Sequence, residues 1–283
     1  MTLYDQVKEA TGAIQAHMLL QPAVAMILGS GLGDLATEIR DATTIPYAEI
    51  PHFARSTVVG HAGRMLLGML EDVPVVVMQG RFHLYEGYPL TVLTLPVRVM
   101  RMLGAETLLV TNAAGGVNPA YRPGDFMVIR DHINMPGLAG LNPLMGPNDE
   151  RLGERFPPGA HAYTAQLRAL AHAVATTYPD ITLHEGVYTM VGGPNYETGA
   201  ELAFLRGIGT DAVGMSTVPE VLVARHAGMR VLGLSLITNA ATGCETEEVD
   251  HAEVLATADA VRSRFAALVR GIVRGIPPLT SHS

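Results

Sequence analysis

"VAMILGSGLG", residues 24–33, joins five consecutive apolar residues to a turn with glycine at every second position. A short apolar run between Pro22 and Gly29 reads as a strand buried on both faces. Gly29, Gly31 and Gly33 let the chain leave that strand through a tight turn. A strand that ends this way is a building unit of an α/β sheet, in which ligands gather beyond the carboxyl ends of the strands. The dinucleotide fingerprint G-x-G-x-x-G is not met, because the third glycine arrives one residue early, and this disfavours a nicotinamide-dependent oxidoreductase. Two readings stay open at this point. The stretch is a plain turn, or its backbone N–H groups converge on an anion with help from the Ser30 hydroxyl and the start of a following helix.

Outward from this stretch, strands and helices alternate. Tyr4 to Leu20 has apolar residues at helical spacing, and Arg64 to Leu70 with Val73 to Met78 reads as a hairpin about Glu71-Asp72. A helix over Thr91 to Leu103 leads to a strand, Thr107 to Thr111, with Asn112-Ala113-Ala114-Gly115-Gly116 as its exit. Phe126 to Arg130 is a further strand, and Asp131 to Ala160 is a long loop of the kind that serves function or an interface. Helices over 162–178, 198–205, 218–226 and 251–273 then alternate with strands over 186–191, 211–215 and 231–238. This order predicts an α/β fold with a central sheet covered on both faces. Without repeats, linkers or low-complexity segments, residues 1–283 read as one domain.

The 283 residues are 48% hydrophobic and 16% charged, which excludes disorder and calls for a well-covered interior or a subunit interface. A formal net charge of −8, with no basic tract, argues against nucleic-acid polymers and anionic membranes. One cysteine, Cys244, rules out a disulfide framework. The histidines show no metal-ligand spacing, so no metal is expected. The first twenty residues do not resemble a signal peptide and no apolar run has membrane-spanning length, which makes cytoplasmic the expectation.

Candidate chemistry falls at strand ends. Ser30, Arg81 and His83, Asn112-Ala113, Glu197, Met215-Ser216 and Asn239 each stand at or just after the end of an expected strand. In "MQGRFHLYEGYP", 78–89, Arg81 offers a planar fork for two anion oxygens and His83 points to the same side of an extended chain. A surface ion pair is the competing fate of Arg81. Tyr85 follows, where it is placed to cover a sugar. Glu197 either stabilises the first turn of the next helix or faces a ligand, and Asn239 is either a cap or a reader. Together with Tyr196 they supply an acceptor, a carboxamide and an aromatic face, which are what a purine edge needs.

Gly29-Ser30-Gly31-Leu32-Gly33, "VVGHAGR" (58–64), "MQGRFHLYEGYP" (78–89), "VTNAAGGVNP" (110–119), "IRDHINMPG" (129–137), "NPLMGPNDERLGERFP" (142–157) and "DAVGMSTVPEVLVARHAG" (211–228) resemble the trimeric purine nucleoside phosphorylases, in order, over nearly the whole chain. The resemblance implies a single α/β domain with a central mixed, partly barrel-like sheet flanked by helices, and a homotrimer. It also implies phosphate-dependent cleavage of purine (deoxy)ribonucleosides in purine salvage, with inorganic phosphate as co-substrate and no cofactor. By position it assigns Ser30, His61, Arg81, His83, the Ala113 backbone N–H and Ser216 to phosphate. Glu197, Asn239 and Tyr196 are assigned to the purine, and Tyr85, Met215 and His251 to the ribose. Phe156 resembles an aromatic lent to the neighbouring subunit's pocket. Asn239, Glu197 and His83 are the residues expected to carry catalysis.

Glu197 can accept from N1–H of a 6-oxopurine but meets a lone pair on adenine, so inosine and guanosine are expected over adenosine. Methylthioadenosine phosphorylases are the alternative branch. They resemble this chain in plan but place serine and aspartate where Glu197 and Asn239 stand. Tyr196 replaces a phenylalanine of vertebrate members, and the stretch from Ala240 to Val249 is shorter than theirs.

Overall fold

β1 (Val24–Leu28) is buried at all five residues. It runs parallel to β4 (Val73–Gln79) on one side and to β5 (Thr107–Gly116) on the other. The computed structural model describes residues 1–57, 62–243 and 251–277, with the backbone alone for His251. Side chains of β1 alternate between two cores. Ala25 and Ile27 pack with α1 (Leu3–Gln15) and α3 (Leu95–Met102), whereas Val24, Met26 and Leu28 pack with α5 (Ala165–Ala175) and α9 (Arg262–Gly275). Cover on both faces is why the strand has no polar position. Each of the four larger side chains, Val24, Met26, Ile27 and Leu28, contributes roughly 1.5–3 kcal/mol through burial.

Nine strands form one sheet, with β2 (Arg40–Pro46), β3 (Arg64–Leu70), β6 (Phe126–Asn134), β7 (Leu183–Met190), β8 (Ala212–Gly214) and β9 (Arg230–Ala240) completing it. Their order is β2-β3-β4-β1-β5-β8-β7-β6-β9, and β9 pairs back onto β5. β5, β8, β7, β6 and β9 thereby close into a barrel, from which β1, β4, β3 and β2 extend as an open wing. Pairing is mixed. β5–β9, β6–β7 and β7–β8 are parallel, while β5–β8 and β6–β9 are antiparallel. This is the partly barrel-like α/β architecture that the motifs imply.

Several elements differ from expectation in ways that matter for the site. The exit after Thr111 is itself strand, since β5 runs on to Gly116 with a register shift against β9 between Ala114 and Gly115. The expected helix over 91–103 is α2 (Leu90–Leu93) and α3, broken at Thr94. Pro96 lacks the N–H that an unbroken helix would need there. β6 continues to Asn134 and gives way to the single turn α4 (Met135–Leu138), shortening the expected loop. β2 had no signal, because it is an edge strand whose only buried residue is Ile45. The closing helix is two, α8 (His251–Ala260) and α9, divided at Val261. α6 (Gly199–Gly207) and α7 (Val218–His226) complete the set, and no helix among the described residues is long and apolar enough to cross a membrane.

Candidate active site

The glycine-rich turn after β1 is shaped by close approach. A Cβ at Gly29 would sit 2.8 Å from the Thr111 carbonyl oxygen, and one at Gly31, where φ is +72°, would meet the Ala258 Cβ of α8 at 2.3 Å. Gly29 N–H donates to the Thr111 hydroxyl at 3.1 Å, which ties the turn to β5. The chain then enters a short 3₁₀ segment, Gly33–Glu38, rather than an α-helix. The helix-dipole contribution expected at this turn is therefore withdrawn, and Ser30 remains at the pocket wall.

Beyond β4 the chain turns at Gly80 and delivers Arg81 into the interior, where it is 1% exposed. It is in an ion pair, but a buried one. Nε donates to Glu220 Oε1 at 3.2 Å, and Nη1 donates to Ser216 Oγ at 3.0 Å. Glu220 stands on the first turn of α7, so the helix that follows Ser216 carries the counter-charge. His83 is buried as well. Its N–H donates to Glu86 Oε1 at 2.7 Å, and its ring stacks on Tyr85 with centroids 4.7 Å apart. Burial holds the imidazole below its ordinary pKa, against the opposing hydrogen bond with Glu86, so the ring is neutral at neutral pH. Burial works to raise the Glu86 carboxyl, yet hydrogen bonds from His83 and from Thr57 N–H and Oγ1 bring it down to about 2. The Tyr85 phenol is pushed up to about 12, chiefly by burial, and stays protonated.

Glu197 and Asn239 line the same pocket. Glu197 is not the helix cap that its position suggested. Thr198 caps α6, accepting from Glu201 N–H at 3.2 Å while Glu201 Oε2 accepts from Thr198 N–H at 2.7 Å. Released from that role, Glu197 lines the pocket, and burial raises its carboxyl above the ordinary value. Asn239 caps no helix. It is the penultimate residue of β9, opposite Gly115 of β5, and its Oδ1 accepts from Thr238 Oγ1 at 2.9 Å.

One cavity of 390 Å³ unites these groups. Ser30, Arg81, His83, Tyr85, Ala113, Met215 and Ser216 line it together with Tyr196, Glu197 and Asn239. His61 lies outside the described residues, as does the side chain of His251, although α8 borders the pocket through Val254. Phe156 is 83% exposed and is not among the residues lining this cavity. Glu220, Thr217 and Tyr188 were not anticipated. Tyr188 Oη accepts from Ser216 N–H at 3.4 Å, and Thr217 joins the Arg81–Ser216 cluster. The one available signal was a carboxylate at the start of an otherwise apolar helix, "STVPEVLVA".

Residues 23–274 match the family model described as the phosphorylase superfamily. Purine nucleoside phosphorylase 1 of Bacillus subtilis is 52% identical over 269 residues, 95% of this chain and 98% of its own length. The chain belongs to the purine nucleoside phosphorylase family. Within that family the Bos taurus purine nucleoside phosphorylase is 50% identical, covering 97% of this chain and 96% of its own. Among solved structures, the Schistosoma mansoni purine nucleoside phosphorylase in complex with adenosine superposes with a TM-score of 0.94 at 44% identity, covering 98% of this chain and 99% of that one. The same relative has been solved with inosine, with a TM-score of 0.93 at 43% identity.

Proposed function

We propose that residues 1–283 form a single enzyme domain that acts as a homotrimer in the cytoplasm. It uses inorganic phosphate to cleave the N-glycosidic bond of 6-oxopurine ribosides and 2′-deoxyribosides, releasing the base and (deoxy)ribose 1-phosphate. The observation that carries this reading is the shared pocket. Arg81, Ser216 and His83, which suit an anion, and Glu197 with Asn239, which suit a purine edge, line one cavity together with Tyr85 and Met215.

The chemistry follows from the charge that develops. As the C1′–N9 bond breaks, its electron pair moves into the purine ring and the ribosyl carbon becomes cationic, so catalysis must hold both charges. Phosphate, seated against Arg81, Ser216, His83, Ser30 and the Ala113 N–H, forms the new bond to C1′, and its negative charge favours the cationic sugar. His61 belongs to this group by family resemblance. Glu197 accepts from N1–H, Asn239 donates to the purine as it gains electrons, and Tyr196 packs near the base. Tyr85, Met215 and His251 hold the ribose, and Phe156 of a neighbouring subunit closes the pocket. No protein nucleophile is required.

The adenosine complex of the schistosome relative speaks to occupancy. The discrimination proposed here lies in turnover, where Glu197 meets no proton on adenine N1. A panel of inosine, guanosine, adenosine and methylthioadenosine in phosphate buffer tests it. Rapid turnover of the first two with at least tenfold lower kcat/KM for the others is expected. Preference for methylthioadenosine would overturn the assignment.

A further inference from the structure

Thr217 stands at the position that caps α7, and it does not cap it: no side-chain hydrogen bond reaches the helix N-terminus. Threonine at such a place ordinarily bonds the N–H of the second or third helical residue. Here the backbone takes φ +76° and ψ −51°, a conformation that β-branched residues avoid. Val218 N–H closes on the Ser216 carbonyl at 2.8 Å, which makes a three-residue turn of the rare, strained hand. The side chain, 1% exposed, is thereby turned inward toward Arg81 and Ser216.

The donors around it settle which way the protons run. Asn112 Nδ2 donates to Thr217 Oγ1 at 2.9 Å, and Arg81 Nη1 lies at 3.4 Å from the same oxygen. An amide nitrogen and a guanidinium only donate, so both lone pairs of the threonine hydroxyl are engaged. Its own proton is left for Ser216 Oγ, 3.1 Å away. Ser216 Oγ also accepts from Arg81 Nη1 at 3.0 Å, which fills its acceptor capacity. The serine proton is then left for donation, either to the neighbouring Tyr188 Oη or to an acceptor in the pocket that Ser216 lines.

We propose that Thr217 is a positioning residue for phosphate: its hydroxyl fixes Ser216 as a donor to the anion and holds the guanidinium of Arg81 in register with it. This rests on the reading that the Arg81–Ser216 cluster receives phosphate. The strained turn is what aims the hydroxyl at this cluster instead of at the helix end.

Three variants, assayed beside the wild type by steady-state phosphorolysis of inosine, test it. Thr217→Val keeps the shape and removes the hydroxyl, Thr217→Ser keeps the hydroxyl, and Thr217→Gly removes the hydroxyl while relaxing the backbone, because glycine accepts positive φ freely. Thr217→Val and Thr217→Gly should raise the KM for phosphate about tenfold or more, the scale of a lost hydrogen bond to a charged partner, with the KM for inosine within about threefold of wild type. Thr217→Ser should stay within about threefold for both. Should the valine protein fail to fold, the glycine and serine variants decide the matter. Unchanged phosphate saturation in Thr217→Gly, or an equal loss in Thr217→Ser, would overturn the role of the hydroxyl. A wild type without phosphorolytic activity would instead sink the underlying functional reading.

Discussion

Base selection is the role proposed for Glu197, and its setting makes that role pH-dependent. Burial raises its pKa, so on acidification it takes up a proton before an ordinary glutamate does. The ionised carboxylate is the stronger acceptor for N1–H, so on this proposal recognition of 6-oxopurines weakens as pH falls through the raised value. Glu197→Gln should lower kcat/KM for inosine by roughly tenfold to a hundredfold, since a neutral carboxamide oxygen is a weaker acceptor for N1–H than a carboxylate. The acid limb of the pH profile should vanish with it, and phosphate saturation should be unchanged. A parallel loss of phosphate affinity would contradict the assignment. Arg81, Ser216, Glu197 and Asn239 were legible in the sequence because each follows a strand and each type suits an anion or a purine. Glu220 was not. It lies 139 residues from its partner Arg81, and no local spacing rule connects the two. Glu86 is clasped by Thr57, 29 residues away, a partner that no local spacing rule connects to it.

Elements explain which parts of the fold could be read. β1 was evident because cover on both faces demands an unbroken apolar run, and α7 was found at its observed bounds, Val218–His226. β2 escaped because an edge strand with one buried residue leaves no pattern. The segment between α4 and α5 reads as loop, yet it is tightly organised. Asn148 Nδ2 donates to the Gly153 carbonyl at 3.0 Å and Oδ1 faces His226 Nε2 at 3.2 Å, while Arg155 Nη1 donates to the Gly146 carbonyl at 2.8 Å. Gly153 sits where a Cβ would fall 2.0 Å from the His226 carbonyl oxygen, with φ at +149°. Gly153→Ala should therefore destabilise the protein by about 2 kcal/mol or more, through a backbone clash added to a strained conformation. Equilibrium urea unfolding would measure it, and a change below about 0.5 kcal/mol would show that the loop yields.

For the whole molecule, the exposed apolar side chains need cover. Leu138, Leu141, Met145 and Phe156 project from the α4–α5 region, and Phe204 and Ile208 from the end of α6, each at least 40% exposed. A second copy of the chain is the cover that the proposed trimer would supply, with Phe156 reaching a neighbour's pocket. Sedimentation equilibrium should return three times the chain mass. Phe156→Ala should raise the KM for inosine roughly tenfold, as loss of a packed aromatic would, while leaving the KM for phosphate within about threefold. A monomeric wild type, or no change in the KM for inosine, would remove the shared-site feature. With a formal net charge of −8, the overall field does not draw phosphate, and the proposed site must hold it through the local Arg81 cluster.

The most direct test of phosphorolysis by the shared pocket is hypoxanthine release from inosine by the purified protein, with and without inorganic phosphate, alongside assay of ribose 1-phosphate. Release that depends on phosphate, with one ribose 1-phosphate formed per hypoxanthine, is the predicted result. Release at an equal rate without phosphate and with free ribose as product, or no release at all, would contradict it.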